Sequence, residues 1–399
     1  MIERAMIEVQ GHWSERWAPV VEAFSDNFEA SGEEGAALAV YLAGEPVLSL
    51  WAGEAAPGVA WEENTRTNLF SASKALVALS VLQLADAGEL ELDRPVADYW
   101  PDFGQAGKAD ITPRQLLCHR SGVSALQERV PDDAIFDWSA MTARVEQAEP
   151  WWTPGEGQGY SPFLFGWALG ELVRRVSGYD SFGQYVEKAL AQPLGLGLRI
   201  GLKEGDASPA QMRPLKRPLG GANSGGADSQ SLGKIMKADP RGVTNRAFSN
   251  PMSLMTASNS EAWQRAEIPA ANGHSSARDL AAVYGALAND GQLDNTTVLS
   301  RTSVALCSQE LTFEEDRVLG LPLRFGHGFM LSQKRADCRL GRGRGAFGHP
   351  GAGGCLGFAD PDFGIGFGYV TGRMGQSLLI DPRPQQLIDA LYQCVGETP

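Results

Sequence analysis

A chain of 399 residues, 43% hydrophobic and 21% charged, has the composition of an ordinary globular protein and is long enough for a large core in one domain or two. Its formal net charge of −14 argues against nucleic acid and anionic membrane as partners, since both call for a basic footprint. No apolar run approaches the roughly 18–20 residues that span a bilayer, so no membrane partner is expected either.

In chain order, Met1 to Glu8 lacks the basic start and apolar run of a signal peptide and reads as a mature cytoplasmic start. Residues 14–31 carry apolar positions at helical spacing. Ala36–Leu42 reads as a strand, Ala43 to Pro46 as a turn, and Val47–Trp51 as a returning strand. Ser71 opens a helix to about Ala87, with Gly88 as its stop. From about 90 to 270 strand signal is sparse; helices are expected over Phe165–Val176 and Phe182–Ala191. The Gly/Ser-rich segment Leu219–Ser229 reads as a mobile surface loop. Strand patterns return at Gly326–Leu331, Cys355–Phe358 and Gly364–Val370, and an amphipathic helix covers about Pro384–Val395. One sheet built from both chain ends follows, with a helical region inserted: residues about 1–90 plus 275–399 as the α/β region, 91–274 as the helical region, and 1–399 as a single domain. The five cysteines are scattered and odd in number, which fits reduced thiols in a cytoplasmic protein. The five histidines lack metal-ligand spacing, so neither metal nor cofactor is implied.

Ser71 and Lys74 form a Ser-x-x-Lys motif at the start of the first long helix. Three residues is about one helical turn, so both side chains share a face. A serine hydroxyl is a poor nucleophile at neutral pH and needs a base, which a lysine can supply once its ammonium is pushed to lose its proton. The pair reads as an acyl-transfer site. Tyr160-Ser161-Pro162 and His349-Pro350-Gly351 follow in the chain. With these three motifs, and with the blocks Ile111–Gly122, Phe165–Val176, Pro193–Leu196 and Asn272–Leu280, the sequence resembles the serine β-lactamase and penicillin-binding-protein superfamily, and within it the class C-like esterases, the family VIII carboxylesterases. The resemblance implies an α+β fold of the β-lactamase/transpeptidase type, an antiparallel sheet flanked by helices with an inserted, mostly helical region.

It also implies roles. Ser71 matches the nucleophile, Lys74 the residue that shares its proton, and Tyr160 the tyrosine that acts with lysine as general base. A nearby ammonium would favour the Tyr160 phenolate. The oxyanion hole would be the backbone N–H groups of Ser71 and Ala352, donors that contribute about 3–4 kcal/mol each in acyl transfer. Gly351 and Gly353 suit close approach of substrate to a strand there. Two departures matter. Pro162 stands where lactamases have asparagine, and His349 where they have the lysine that would hold a β-lactam carboxylate. Both favour neutral, short-acyl esters as small-molecule substrates. Trp152, in a tryptophan pair before Tyr160, is a candidate wall of an acyl pocket, with core packing as the competing reading. A β-lactamase, a D-amino-acid peptidase or amidase, an acyltransferase to an alcohol, and a non-catalytic binding protein of the same fold are the alternatives. Gly273 to Ala277 imitates a nucleophile elbow, but Ser275 or Ser276 before Arg278-Asp279-Leu280 reads better as a helix N-cap.

Overall fold

The hairpin near the N-terminus sets the frame. A computed structural model describes residues 7–214, 227–335, 338–377 and 379–396. In it, strands β2 (Gly35–Leu42) and β3 (Glu45–Ala56) pair antiparallel around Ala43 and Gly44. These two residues have φ of +51° and +82°, and positive φ at both turn positions matches the twist of the flanking strands. β1 (Gln10–Trp13) lines the outer edge of β3, and β4 (Val59–Ala60) folds back on its end. The remaining strands come from the far end of the chain: β5 (Thr312–Glu315), β6 (Pro322–Phe325), β7 (Met330–Leu331), β8 (Phe347–Pro350), β9 (Leu356–Asp360) and β10 (Ile365–Thr371). Among the described residues the antiparallel sheet runs β1-β3-β2-β10-β9-β8-β7-β6-β5. β2 and β10 are its central seam, with Ile365 opposite Leu42 and Thr371 opposite Ala36.

Both faces of the sheet are covered. Ala36, Leu38 and Val40 join the core under α1 (Ala18–Ala30) and α5 (Pro382–Val395), while Ala37, Ala39 and Tyr41 face a second core with α4 (Ala277–Ala288). This alternation is the two-residue period of a strand. Burial on both faces explains why β2 reads as one apolar run. α4 lies very close to the sheet, because a Cβ on Gly366 would stand 2.2 Å from Gly285 N. On its other side this second core holds α2 (Lys74–Asp86) and α3 (Leu164–Ser177). α2 is apolar all round and buried from Lys74 to Leu82, as suits a helix enclosed by protein.

The structure departs from the sequence reading in places. Gly326–Phe329 is a tight hairpin, with Gly326 N donating to Phe329 O at 2.9 Å and Gly328 at φ +80°, so only Met330 and Leu331 of that expected strand are extended. Phe182–Ala191 begins as α-helix and continues from Val186 with π-helical bonding. A small antiparallel sheet inside the helical region joins Thr67–Asn68 and Arg199–Ile200 to Gly273–Ser275, a pairing the sequence did not announce. Most of the expected mobile loop, residues 219–226, lies outside the described residues. No helix among the described residues is long and apolar enough to cross a membrane.

The close contact of α4 with β10 makes a test. Gly366→Ala places a methyl into backbone, and a misfit of this kind costs about 1–3 kcal/mol or more. Thermal unfolding should show a Tm lowered by several degrees; an unchanged Tm would mean the helix sits less tightly than described.

Candidate active site

Ser71 stands where the small sheet hands over to α2. Asn68 pairs with His274 in that sheet, and Leu69 N donates to Gly273 O at 2.7 Å. Phe70 then takes φ +46°, a strained value for a bulky residue, and a 3-10 turn over Phe70–Ser73 leads into α2. Ser71 is half-buried and Lys74 fully buried.

Three chain segments meet at Lys74. Its Nζ lies 3.2 Å from Ser71 Oγ, 2.7 Å from Pro162 O and 3.1 Å from Ala270 O. Burial holds its pKa well below the ordinary lysine value, because desolvation penalises the ammonium. A neutral amine has two N–H donors and one lone pair. The two carbonyls account for the donors, which leaves the lone pair toward Ser71. Pro162, read from the sequence as a lost side-chain amide, thus contributes a carbonyl to the site.

Tyr160 lies across Lys74, whose Nζ is 4.9 Å from its ring centroid. Burial pushes the phenol pKa up; a hydrogen bond with Ser71 opposes the rise and the charge of Asp316 adds to it. The phenolate expected from the sequence beside an ammonium is therefore not the form that burial favours, because the same burial suppresses that ammonium. Two histidines flank the ring. His119 is 4.9 Å and His349 6.0 Å from it, centroid to centroid. Both are buried, and desolvation lowers both, His349 to about 3, with the Lys74 charge adding to the effect.

The His349-Pro350-Gly351 motif closes β8, and the glycines after it form a turn rather than a strand. Gly351 N donates to Cys355 O at 2.6 Å, and a Cβ on Gly351 would stand 2.1 Å from Leu69 O. The turn is therefore pressed against the backbone two residues before Ser71. Ala352 is at its exposed tip, and Gly353 has φ +89°. His349 is buried: its Nδ1 is 2.7 Å from Pro350 O, and its Nε2 has no hydrogen-bond partner among the described residues. Trp152 donates from Nε1 to Gly157 O at 3.0 Å and lies half-buried under Arg317, so it supports the loop leading to Tyr160. Ser276 caps α4 by accepting from Asp279 N, and Ser275 Oγ donates to Ser276 O, so both hydroxyls serve the start of the helix.

Sequence reasoning missed three groups. One is the Ala270 carbonyl on Lys74. The second is Asp316, whose carboxylate accepts from Tyr160 N at 2.8 Å. The third is Arg383, buried at the start of α5, which donates to Gly353 O, to Glu33 Oε2 at 2.6 Å and to Asp381 Oδ1 at 2.8 Å. A buried arginine so close to the late glycines could have been suspected only from the Asp381-Pro382-Arg383 cap pattern. Among the described residues no group of three His, Cys, Asp or Glu side chains could hold a metal ion.

Comparison with known proteins identifies the family and the fold. The β-lactamase family model matches residues 21–390. The chain is 34% identical over 369 residues to the esterase/β-lactamase LipL of Mycobacterium tuberculosis, covering 92% of this chain and 83% of that one. The crystal structure of a family VIII carboxylesterase superposes with a TM-score of 0.86 at 35% identity, covering 97% of this chain and all (100%) of that one. A penicillin-binding-protein homologue from Caulobacter crescentus superposes with the same TM-score of 0.86, the same 35% identity and the same 97% and 100% coverage.

The tight seat of Gly351 gives the next test. Gly351→Ala forces the turn away from Leu69, and where such a turn supplies an oxyanion donor its loss costs about 10²–10³ in kcat. Turnover of a p-nitrophenyl ester should fall by that order while circular dichroism stays native. Retention of wild-type turnover would remove the turn from the machinery.

Proposed function

The chain belongs to the β-lactamase family, and from that we propose that Ser71, Lys74 and Tyr160 carry out two-step hydrolysis of small, short-acyl esters through an acyl-enzyme. It is a carboxylesterase, a serine hydrolase of carboxylic esters. The observation that carries the mechanism is the buried Lys74 amine held between the Pro162 and Ala270 carbonyls.

In the first step Ser71 Oγ attacks the ester carbonyl and its proton passes to Lys74 Nζ. The carbonyl oxygen gains negative charge facing the backbone N–H groups of Ser71 and Ala352, the two-donor arrangement that lowers acyl-transfer barriers. The ester C–O bond breaks, and the departing alkoxide takes the Tyr160 proton. The acyl-enzyme then holds an ammonium and a phenolate, the pair expected from the sequence. In the second step the phenolate takes a proton from water, the hydroxide adds to the acyl carbon, and Ser71 leaves with the proton stored on Lys74. All groups return to their starting forms.

Neutral esters suit this site better than β-lactams because His349, buried and held neutral, offers no positive charge to a carboxylate. Cytoplasmic residence is supported by Cys118, Cys307 and Cys355, buried thiols outside any disulfide. The relatives' names also supply a second reading, β-lactam hydrolysis. A p-nitrophenyl short-chain ester and a chromogenic cephalosporin assayed side by side decide between them, and faster cephalosporin turnover would reverse the ranking.

Ser71→Ala should abolish turnover and prevent labelling by a fluorophosphonate. Lys74→Ala and Tyr160→Phe should each lower kcat by roughly 10²–10⁴ without unfolding the protein. Near wild-type activity in Tyr160→Phe would show the base misassigned. The pH profile gives an independent check. Because the folded pKa of Lys74 is depressed, activity should persist well below the ordinary lysine value and fall only as pH drops through the lowered one. An acidic limb of kcat/KM near 10 would refute the neutral amine.

A further inference from the structure

Asp316 lies just past the end of β5, distant in sequence from every motif of the site, yet it is fully buried and its carboxylate is completely enclosed by donors. Oδ2 accepts from Tyr160 N at 2.8 Å and from Gln158 Nε2 at 3.2 Å. Oδ1 accepts from Val318 N at 3.0 Å and Leu319 N at 2.9 Å. A carboxylate buried with four N–H donors has its lone pairs occupied and no neighbouring acceptor for a proton. Such a group is costly to desolvate, and a fold that needed only to close a hairpin could use backbone bonds alone.

Its neighbours tie the same two segments together. Arg317 N donates to Gln158 O at 2.9 Å, and Thr312 Oγ1 donates to Gln158 Oε1 at 2.9 Å. Arg317 also donates from Nη2 to Glu156 O at 3.0 Å and covers the Trp152 ring. The β5–β6 connection thus clasps residues 156–160, and Asp316 is the one side chain in the clasp that holds the catalytic tyrosine's own backbone.

We propose that Asp316 is the positioning residue of the general base: it anchors the backbone of Tyr160 and places a buried negative charge next to the Tyr160–Lys74 pair. The proposal rests on Tyr160 acting in proton transfer, as set out above. Asp316 touches neither Ser71 nor the reacting carbonyl; it acts through Tyr160. The charged and titratable groups around Tyr160 are Lys74 from α2, His119, His349 from β8, and Asp316, and both histidines are held neutral by burial. Burial pushes the Asp316 carboxyl up while its N–H donors oppose that rise and favour the carboxylate, and Asp316 is the acidic group that acts on Tyr160. Its sign opposes proton loss, in agreement with the rise it causes at Tyr160. A negative charge beside Tyr160 keeps it protonated at rest, ready to supply the leaving alkoxide.

The test is the pH profile of kcat/KM with a p-nitrophenyl ester for Asp316→Asn, Asp316→Glu and Tyr160→Phe, each checked by circular dichroism. Asp316→Asn removes the charge, so Tyr160 loses its proton more easily and the basic limb, where the leaving-group acid is lost, should move down by about one pH unit. Asp316→Glu keeps the charge but shifts the anchor, so its limb should stay while kcat falls about 10–100-fold. A folded Asp316→Asn whose limb does not move overturns the proposal. If that variant does not fold, wild-type turnover in Asp316→Glu overturns it. Failure of both variants to fold also overturns it, by assigning Asp316 to folding alone. Full activity in Tyr160→Phe would instead refute the role of the tyrosine, which separates that failure from this one.

Discussion

The site depends on keeping one amine dry. An ionised lysine taken out of water costs several kcal/mol unless paired, and among the described residues no carboxylate pairs with Lys74. Burial therefore disfavours the ammonium, and the two carbonyls accept from Nζ. Much of the architecture serves this condition. α2 is apolar on all sides because it must pass through the core, and α3 lies alongside it. Phe165 and Tyr160 cover the ammonium position with ring faces 5.9 Å and 4.9 Å away. The small sheet pairing Asn68 with His274 brings the Ala270 carbonyl within reach.

Around that amine, precision comes from backbone held by buried polar side chains. The turn after His349 presses on Leu69 through a glycine and is gripped from below by Arg383. Arg383 also binds Glu33, which accepts in turn from Tyr369 and Thr371. One guanidinium thus joins the end of the first helix region, the end of β10, the start of α5 and the turn that carries Ala352. Its planar fork of donors suits this work better than a point charge would. The Tyr160 loop is held by the equivalent logic with opposite sign, a carboxylate enclosed by N–H groups.

How much of this was legible in the sequence depended on distance along the chain. Ser71 and Lys74 sit a turn apart, so local periodicity and a short motif found them together. β2 and β10 were legible because burial on both faces leaves runs with few polar residues. Tyr160 and the turn after His349 came from resemblance rather than from spacing. The Ala270 carbonyl carries no side-chain signal at all, and it meets Lys74 across 196 residues. Asp316 looks like one acid among several in Glu314-Glu315-Asp316, and only the folded chain shows that this one is buried. The reading of Gly326–Leu331 as a strand held only for Met330 and Leu331, because the two glycines before Phe329 turn the chain.

The pairing of β2 with β10 has a consequence for how the enzyme comes into being. Ala36 and Thr371 face each other across most of the chain, so the central seam cannot close during synthesis until nearly everything has emerged. Contacts of such long range are slow to form. Until then the hairpin of β2 and β3 presents an unpaired apolar edge, the kind of surface that recruits other chains. The nucleophile helix, made early, meanwhile lacks the turn that would face its serine. A nascent or truncated chain is thus both adhesive and inert, and reactivity arrives with the same late event that hides the edge.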